Sequence, residues 1–180
     1  MFKLKSQTAF VVNVNPRKER AGDDPNGELA ADVKFRLTSV PATILKALAP
    51  AEPGSKTNIV DSIFDEKGVP RFRDGFGTIH FAANWDEAVV TISGKAFRDC
   101  RLKDFVVERL TGGKKVDLVF TAQVHPTEDQ VGALCGKMKT NVTIHVEGGS
   151  LSLDLEGEAE EPETDTAQGG LSLVQGSKKD

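Results

Sequence analysis

The sequence predicts a mainly β protein, a sandwich or partly open barrel of about eight strands with two or three short helices. Three observations predict it. Apolar and polar residues alternate with period two in eight separate runs, helical spacing appears only in brief stretches, and Gly, Pro, Asn or Asp punctuates the intervals. With 180 residues, 38% of them hydrophobic and 28% charged, the chain has the length and composition of a domain that folds unaided.

The first strand is TAFVVNV (8–14). The segment leading into it carries two lysines before a short apolar run, but that run alternates, breaks at Asn13 and Pro16 and lacks a small-residue cleavage site, so it reads as a strand rather than a signal peptide. ELAADVKFRLTS (28–39) is the clearest strand: Leu29, Ala31, Val33, Phe35 and Leu37 point one way, and Asp32, Lys34 and Arg36 the other. Pro41 then opens a helix, PATILKALA (41–49), with Ile44, Leu45 and Leu48 on one face. After the connector APAEPGSKT (49–57), TNIVDSIFDEKG (57–68) spaces Ile59, Val60, Ile63 and Phe64 as a helix ended by Gly68 and Pro70. Strands follow at TIHFAA (78–83), AVVTISG (88–94), DFVVERL (104–110) and KVDLVFTAQV (115–124). PTEDQVGALCGKM (126–138) is the last helix, with Thr127, Glu128 and Asp129 suited to its N-terminus and Val131, Leu134 and Cys135 on one side. TNVTIHVEG (140–148) and SLSLDL (150–155) complete a β-rich domain expected to span 1–155.

Part of this order occurs twice. Asp32, Val33, Phe35 and Pro41 match Asp117, Leu118, Phe120 and Pro126 at a constant offset, which Gly27 and Gly112 share. A strand leading into a Pro-started helix thus repeats, as in two duplicated β-rich halves, about 1–56 and 75–155.

Charge divides the chain differently. Residues 151–180 hold eight acids and two lysines, whereas the preceding 150 hold 19 acids and 21 bases. The acidic stretch 156–180 lacks the apolar content that would offset the entropy of ordering it and is expected to be disordered. Its one apolar patch, Leu171, Leu173 and Val174, is suited to docking on a host or phage protein as an added strand or a small anchor. A near-neutral to basic body followed by an acidic tail is a layout in which the tail competes for a nucleic-acid groove. Two cysteines form no disulfide framework, and no run nears the roughly 20 apolar residues of a membrane span, so a reduced cytoplasmic setting without membrane contact is expected.

RDGFGTIHF (73–81) supplies Gly75, Phe76, Gly77, Ile79 and Phe81 in register with the sheet motif of RNA-recognition modules. Asp74 stands where that motif wants a base, Thr78 replaces the second stacking ring, and the nearest partner motif lies far upstream, so the formal topology is not expected. What survives is a loop of cations and rings: Arg71, Phe72, Arg73 and Phe76 suit phosphates and stacked bases. The long connection NPRKERAGDDPNG (15–27) adds Arg17, Lys18 and Arg20 as phosphate contacts. Asp23 and Asp24 in the same loop have no third ligand in sequence, and no metal is expected.

That loop also carries a likeness. F-V-V-N-V-N-P-R-K-E-R-A-G-D-D followed by A-D-V-K-F-R-L, with D-L-V-F-T-A-Q-V-H-P later, resembles an uncharacterised family of small proteins encoded by bacteriophages and prophages. The likeness covers the first 40 residues and roughly 98–147. It implies a phage setting and supplies no active site.

Enzyme signatures are missing. His80, His125 and His145 have no ligand spacing with one another or with the cysteines, and no nucleophile elbow, zinc-protease motif or phosphate loop is present; Ser93-Gly94-Lys95 lacks the glycine spacing of the last. The expectation is a non-enzymatic accessory protein without cofactor, homo-oligomeric, that binds single-stranded nucleic acid in replication or recombination through Arg17, Lys18, Arg20, Arg71, Phe72, Arg73 and Phe76. The competing expectation is a protein-interaction module, either a virion component or an inhibitor of a host enzyme or defence complex.

Overall fold

In a computed structural model of the chain, the described residues are 2–19, 28–48, 61, 63, 78–111 and 115–153, with only the backbone described at 109–111, 152 and 153. Eight antiparallel strands form one sheet: β1 (Lys3–Glu19), β2 (Glu28–Pro41), β3 (Ile79–Phe81), β4 (Ala83–Ile92), β5 (Lys95–Thr111), β6 (Lys115–Val124), β7 (Asn141–Glu147) and β8 (Ser150–Leu153). A 3-10 turn (Ala42–Ile44) runs into the short helix α1 (Leu45–Leu48), and α2 (Glu128–Cys135) lies between β6 and β7. The strand order is β3-β5-β6-β2-β1-β7-β4-β8, and a further pairing of β4 with β5 bends the sheet into a ring, a partial barrel. The mainly β fold read from the sequence is therefore the fold observed. Of the helix expected over 57–68, only Asp61 and Ile63 are described; both are helical, and Ile63 is buried in the core.

The ring closes because two 17-residue strands change partners midway. β1 pairs with β7 from Lys3 to Phe10 and with β2 from Phe10 to Glu19. β5 does the same, pairing with β4 up to Leu102 and with β6 from Arg101 onward. Bulges supply the bend, since each adds a residue to one strand and sharpens the local twist. In β5 the inward residues are Phe97, Cys100, Leu102, Phe105 and Val107, so the strict alternation of a flat strand is broken twice. Each wider interval holds an aspartate in the left-handed region, Asp99 at φ 52° and Asp104 at φ 55°. The same arrangement occurs at Thr38-Ser39 in β2 and at Asp86-Glu87 in β4, where Ser39 and Glu87 both have φ 56°.

The pairing scheme is two-fold symmetric. Exchanging β1 with β5, β2 with β6 and β4 with β7 returns the same ring in reverse order. Phe35 on β2 pairs directly with Phe120 on β6, and Val33 and Leu37 face Ala122 and Leu118 on either side. Across the barrel, Val90 on β4 pairs with Val146 on β7. The residues matched at constant offset in the sequence thus flank one symmetric pair. In this scheme the six strands of the ring divide at the Ser93-Gly94 turn between β4 and β5, each part contributing two strands, a helix and a third strand. Both turn residues have positive φ, 48° and 85°, as a two-residue hairpin requires, and glycine takes the larger value.

The core fills the ring. Phe2, Phe35, Phe105 and Phe120 are fully buried, and Phe120 meets Phe2, Phe35 and Phe105 at ring-centroid distances of 5.9, 5.5 and 5.5 Å. Burying rings of this size supplies a large apolar area, and each aromatic pair adds about 0.5–1.5 kcal/mol beyond it.

Candidate functional site: two furrows at opposite ends of the barrel

Where β1 and β5 leave one partner for the other, one edge of each is left without a strand among the described residues. A helix settles beside each wedge. Because β2 and β6 are antiparallel, α1 and α2, which follow them, leave at opposite ends of the barrel. Each helix leaves a furrow against the adjoining strand.

The α1 furrow, about 410 Å³, runs between the start of β1 and the turn into α1, lined by Leu4, Lys5, Gln7, Thr43, Ile44 and Ala47. Lys3 also borders it and is held by Glu147 of β7. The α2 furrow has two adjoining parts. The inner one, about 210 Å³, lies under the β4–β5 turn; Ile92, Phe97, Ala133 and Leu134 make its apolar lining, and Lys95 and Lys137 stand beside them. The outer one, about 490 Å³, continues past Phe97 to Arg98, Asp99, Glu28, His125 and Gln130. α2 is fixed in place by its own ends. The Thr127 N–H donates to Gln130 Oε1 at 3.0 Å as part of a capping box, and after the helix the Lys139 N–H donates to the Val11 carbonyl at 2.8 Å.

The residues expected to bind phosphate are placed as follows. Arg17 and Lys18 lie at the end of β1, with Lys18 exposed. Arg20, Arg71, Phe72, Arg73 and Phe76 lie outside the described residues, as do Leu171, Leu173 and Val174. Arg17 already has partners: its guanidinium meets the Asp32 carboxylate on β2, and its Nη2 donates to Glu19 Oε1 at 2.6 Å. Partial burial would lower the pKa of Arg17, but hydrogen bonds and charge from these two carboxylates outweigh that and hold it above its ordinary value.

Arg17 belongs to a larger network on the outer face of the sheet. Lys103 of β5 reaches Asp32 at 3.7 Å, and Gln123 Nε2 donates to Glu19 at 2.8 Å, with His125 Nε2 3.8 Å from the other Glu19 oxygen. Arg36 of β2 pairs with Glu108 of β5 at 2.7 Å. Since β6 runs between β2 and β5, the Asp32–Lys103 and Arg36–Glu108 pairs arch over it. This accounts for the burial of Val119 and Thr121 on a face that should meet solvent. Arg101 is likewise paired, 3.4 Å from Asp86.

The cations beside the α2 furrow differ. Among the described residues, Lys95, Arg98 and Lys137 take part in no ion pair. The sequence pattern does not single them out: Lys95 follows Ser93-Gly94 without the glycine spacing of a phosphate loop, and the wedge that makes it useful depends on β5 changing partners. The one available signal was Ser-Gly-Lys at a tight turn facing a capped helix.

Nucleophiles contribute little. Both cysteines are free, and burial pushes the Cys100 thiol up to about 11, so it stays protonated near neutrality. No group of three His, Cys, Asp or Glu suited to a metal ion occurs among the described residues. None of the described helices is long and apolar enough to cross a membrane. No family model matches the chain, and neither a curated protein nor a solved structure matches it.

Proposed function

We propose that the chain is a non-enzymatic module that binds single-stranded nucleic acid, with the α2 furrow as the seat. One observation carries this reading: Arg17, Arg36 and Lys103 on the outer sheet face are each held by a carboxylate, whereas Lys95, Arg98 and Lys137, which have no ion pair among the described residues, border an apolar furrow. Such a furrow takes the flat face of a base while the ammonium groups meet the flanking phosphates. Asp99 and Glu28 at the outer part weaken the attraction there, so the inner part leads. A role in phage replication or recombination fits this chemistry and rests on the sequence likeness. Fold alone carries no function, and the furrow is what supports the reading.

Fluorescence anisotropy of a labelled single-stranded oligonucleotide tests it. Three phosphate contacts at the single-strand slope of about −0.7 each should cost roughly 20-fold in affinity between about 50 and 200 mM salt. Lys95→Glu with Lys137→Glu should remove most of the binding, Arg36→Glu little of it, and a chain ending at residue 155 should bind more tightly than the full chain. Absence of saturable binding at about 50 mM salt sinks the proposal.

The second reading, a protein-interaction module, draws on β3 and β8. They stand at the two ends of the pairing order and offer edges to an added strand. Saturable binding of a protein partner, with none of oligonucleotide, would favour it.

A further inference from the structure

The α1 furrow repeats the strand and helix walls of the α2 furrow, without counterparts of Lys95 and Lys137. Under the two-fold pairing scheme Val14 opposite Val33 corresponds to Val107 opposite Leu118, and Phe10 opposite Arg36 to Lys103 opposite Thr121. The same correspondence carries Leu4 onto Phe97 and Lys5 onto Arg98. In each furrow an apolar side chain from the partner-changing strand lines the cleft, the next residue is a cation, and the opposite wall is the helix that follows a proline, Pro41 or Pro126.

We infer that the α1 furrow is a second seat for single-stranded nucleic acid, so that one chain holds two strand segments at opposite ends of its barrel. This rests on the reading of the α2 furrow given above. The chemistry is complementary: Leu4, Ile44 and Ala47 give an apolar wall for a base, Gln7 and Thr43 give polar groups for its edge, and no carboxylate among the described residues lines the furrow. Lys5 is exposed and has no ion pair among the described residues. Lys3 adds a cation whose charge is shared with Glu147, which makes this the weaker of the two seats. Because the two furrows face opposite ends, a bridged pair of segments lies on either side of the barrel rather than side by side.

Native mass spectrometry of the full chain with excess short oligonucleotide at low salt reads the stoichiometry per chain directly. Two oligonucleotides per chain are expected for the wild type. Lys5→Glu should leave one, as should Lys95→Glu with Lys137→Glu, with circular dichroism confirming that each variant is folded. Energy transfer between donor- and acceptor-labelled non-complementary oligonucleotides should rise with the wild type and fall in both variants. One oligonucleotide per chain in the wild type, or two retained by Lys5→Glu, overturns the inference and leaves the α2 seat standing. No oligonucleotide bound at all removes the α2 reading and this one with it.

Discussion

The two ends of the barrel share a plan and differ in what the helix does. At one end α1, a single turn continuing a 3-10 segment, buries both Leu45 and Leu48 in the core, and its leading residue Pro41 supplies no side-chain cap. At the other end α2 is twice as long, carries its own capping box and buries only Leu134. A helix held mainly by tertiary burial packs its leucines into the wedge, whereas one held by its own caps needs fewer core contacts, and its furrow carries Lys95 and Lys137, which have no ion pair among the described residues. The same topology thus gives both ends a furrow and ties the α1 end more firmly to the core.

The largest effect expected from breaking the comparison lies at the symmetric pair itself. Phe35 and Phe120 are both fully buried, but Phe120 touches three rings and Phe35, among the described contacts, only Phe120. Removing a buried ring costs about 3–5 kcal/mol, so Phe120→Ala should fall at the top of that range and Phe35→Ala at the bottom. Urea denaturation midpoints at constant slope would measure the gap. Equal losses would mean that the two halves contribute alike to the core, against the asymmetry argued here.

Much of this fold was legible in the sequence, and the physical reason is period two. All eight alternating runs became strands, and the inward set Ala31, Val33, Phe35 and Leu37 is buried as the pattern demands. The first half of β5 escapes the pattern because FRDCRLKDF places its inward residues Phe97, Cys100, Leu102 and Phe105 at uneven intervals. A bulge removes the signal that identifies the strand it bends. The candidate site was less legible for a related reason. Arg17 reads as a free cation until strand register sets it beside Asp32, and Lys95 and Lys137 lie far apart in sequence until α2 packs under the β4–β5 turn.

A smaller effect compares the bulges of the two partner-changing strands. β1 slips register between Val11 and Asn13, and β5 between Lys103 and Val106, at corresponding places in the pairing scheme. Asp104 sits at φ 55°, whereas Val12 is not in the left-handed region. Relief of left-handed strain at an L-residue is worth about 1–2 kcal/mol, and the added freedom of glycine in the unfolded chain takes back about 0.4–1. Asp104→Gly should therefore stabilise by about 0.5–1 kcal/mol, while Val12→Gly, with no strain to relieve, should destabilise by a similar amount. Opposite signs in thermal unfolding would confirm that the two bulges bend the sheet by different backbone routes, and equal signs would refute it.

The smallest effect separates the rim cations. Hydrogen bonds from Lys3 and then His145, with the positive charge of Lys3, hold the Glu147 carboxyl below its ordinary range. A carboxylate with a depressed folded-state pKa contributes stability that is fully present above its unfolded-state value and is lost as pH falls through the folded one. The Lys3–Glu147 tie should hence persist through neutrality and open only in acid below the ordinary glutamate range. Lys3→Met should move the Glu147 titration upward, as read by carbon NMR of its carboxyl, with His145 keeping part of the depression. Lys95, which has no carboxylate partner among the described residues, provides the contrast: Lys95→Met should leave the Glu147 titration where it is. If both substitutions moved it equally, the shift would reflect the net charge of the barrel rather than a local tie, and the distinction between Lys3, held by Glu147, and Lys95, without a carboxylate partner among the described residues, would fail.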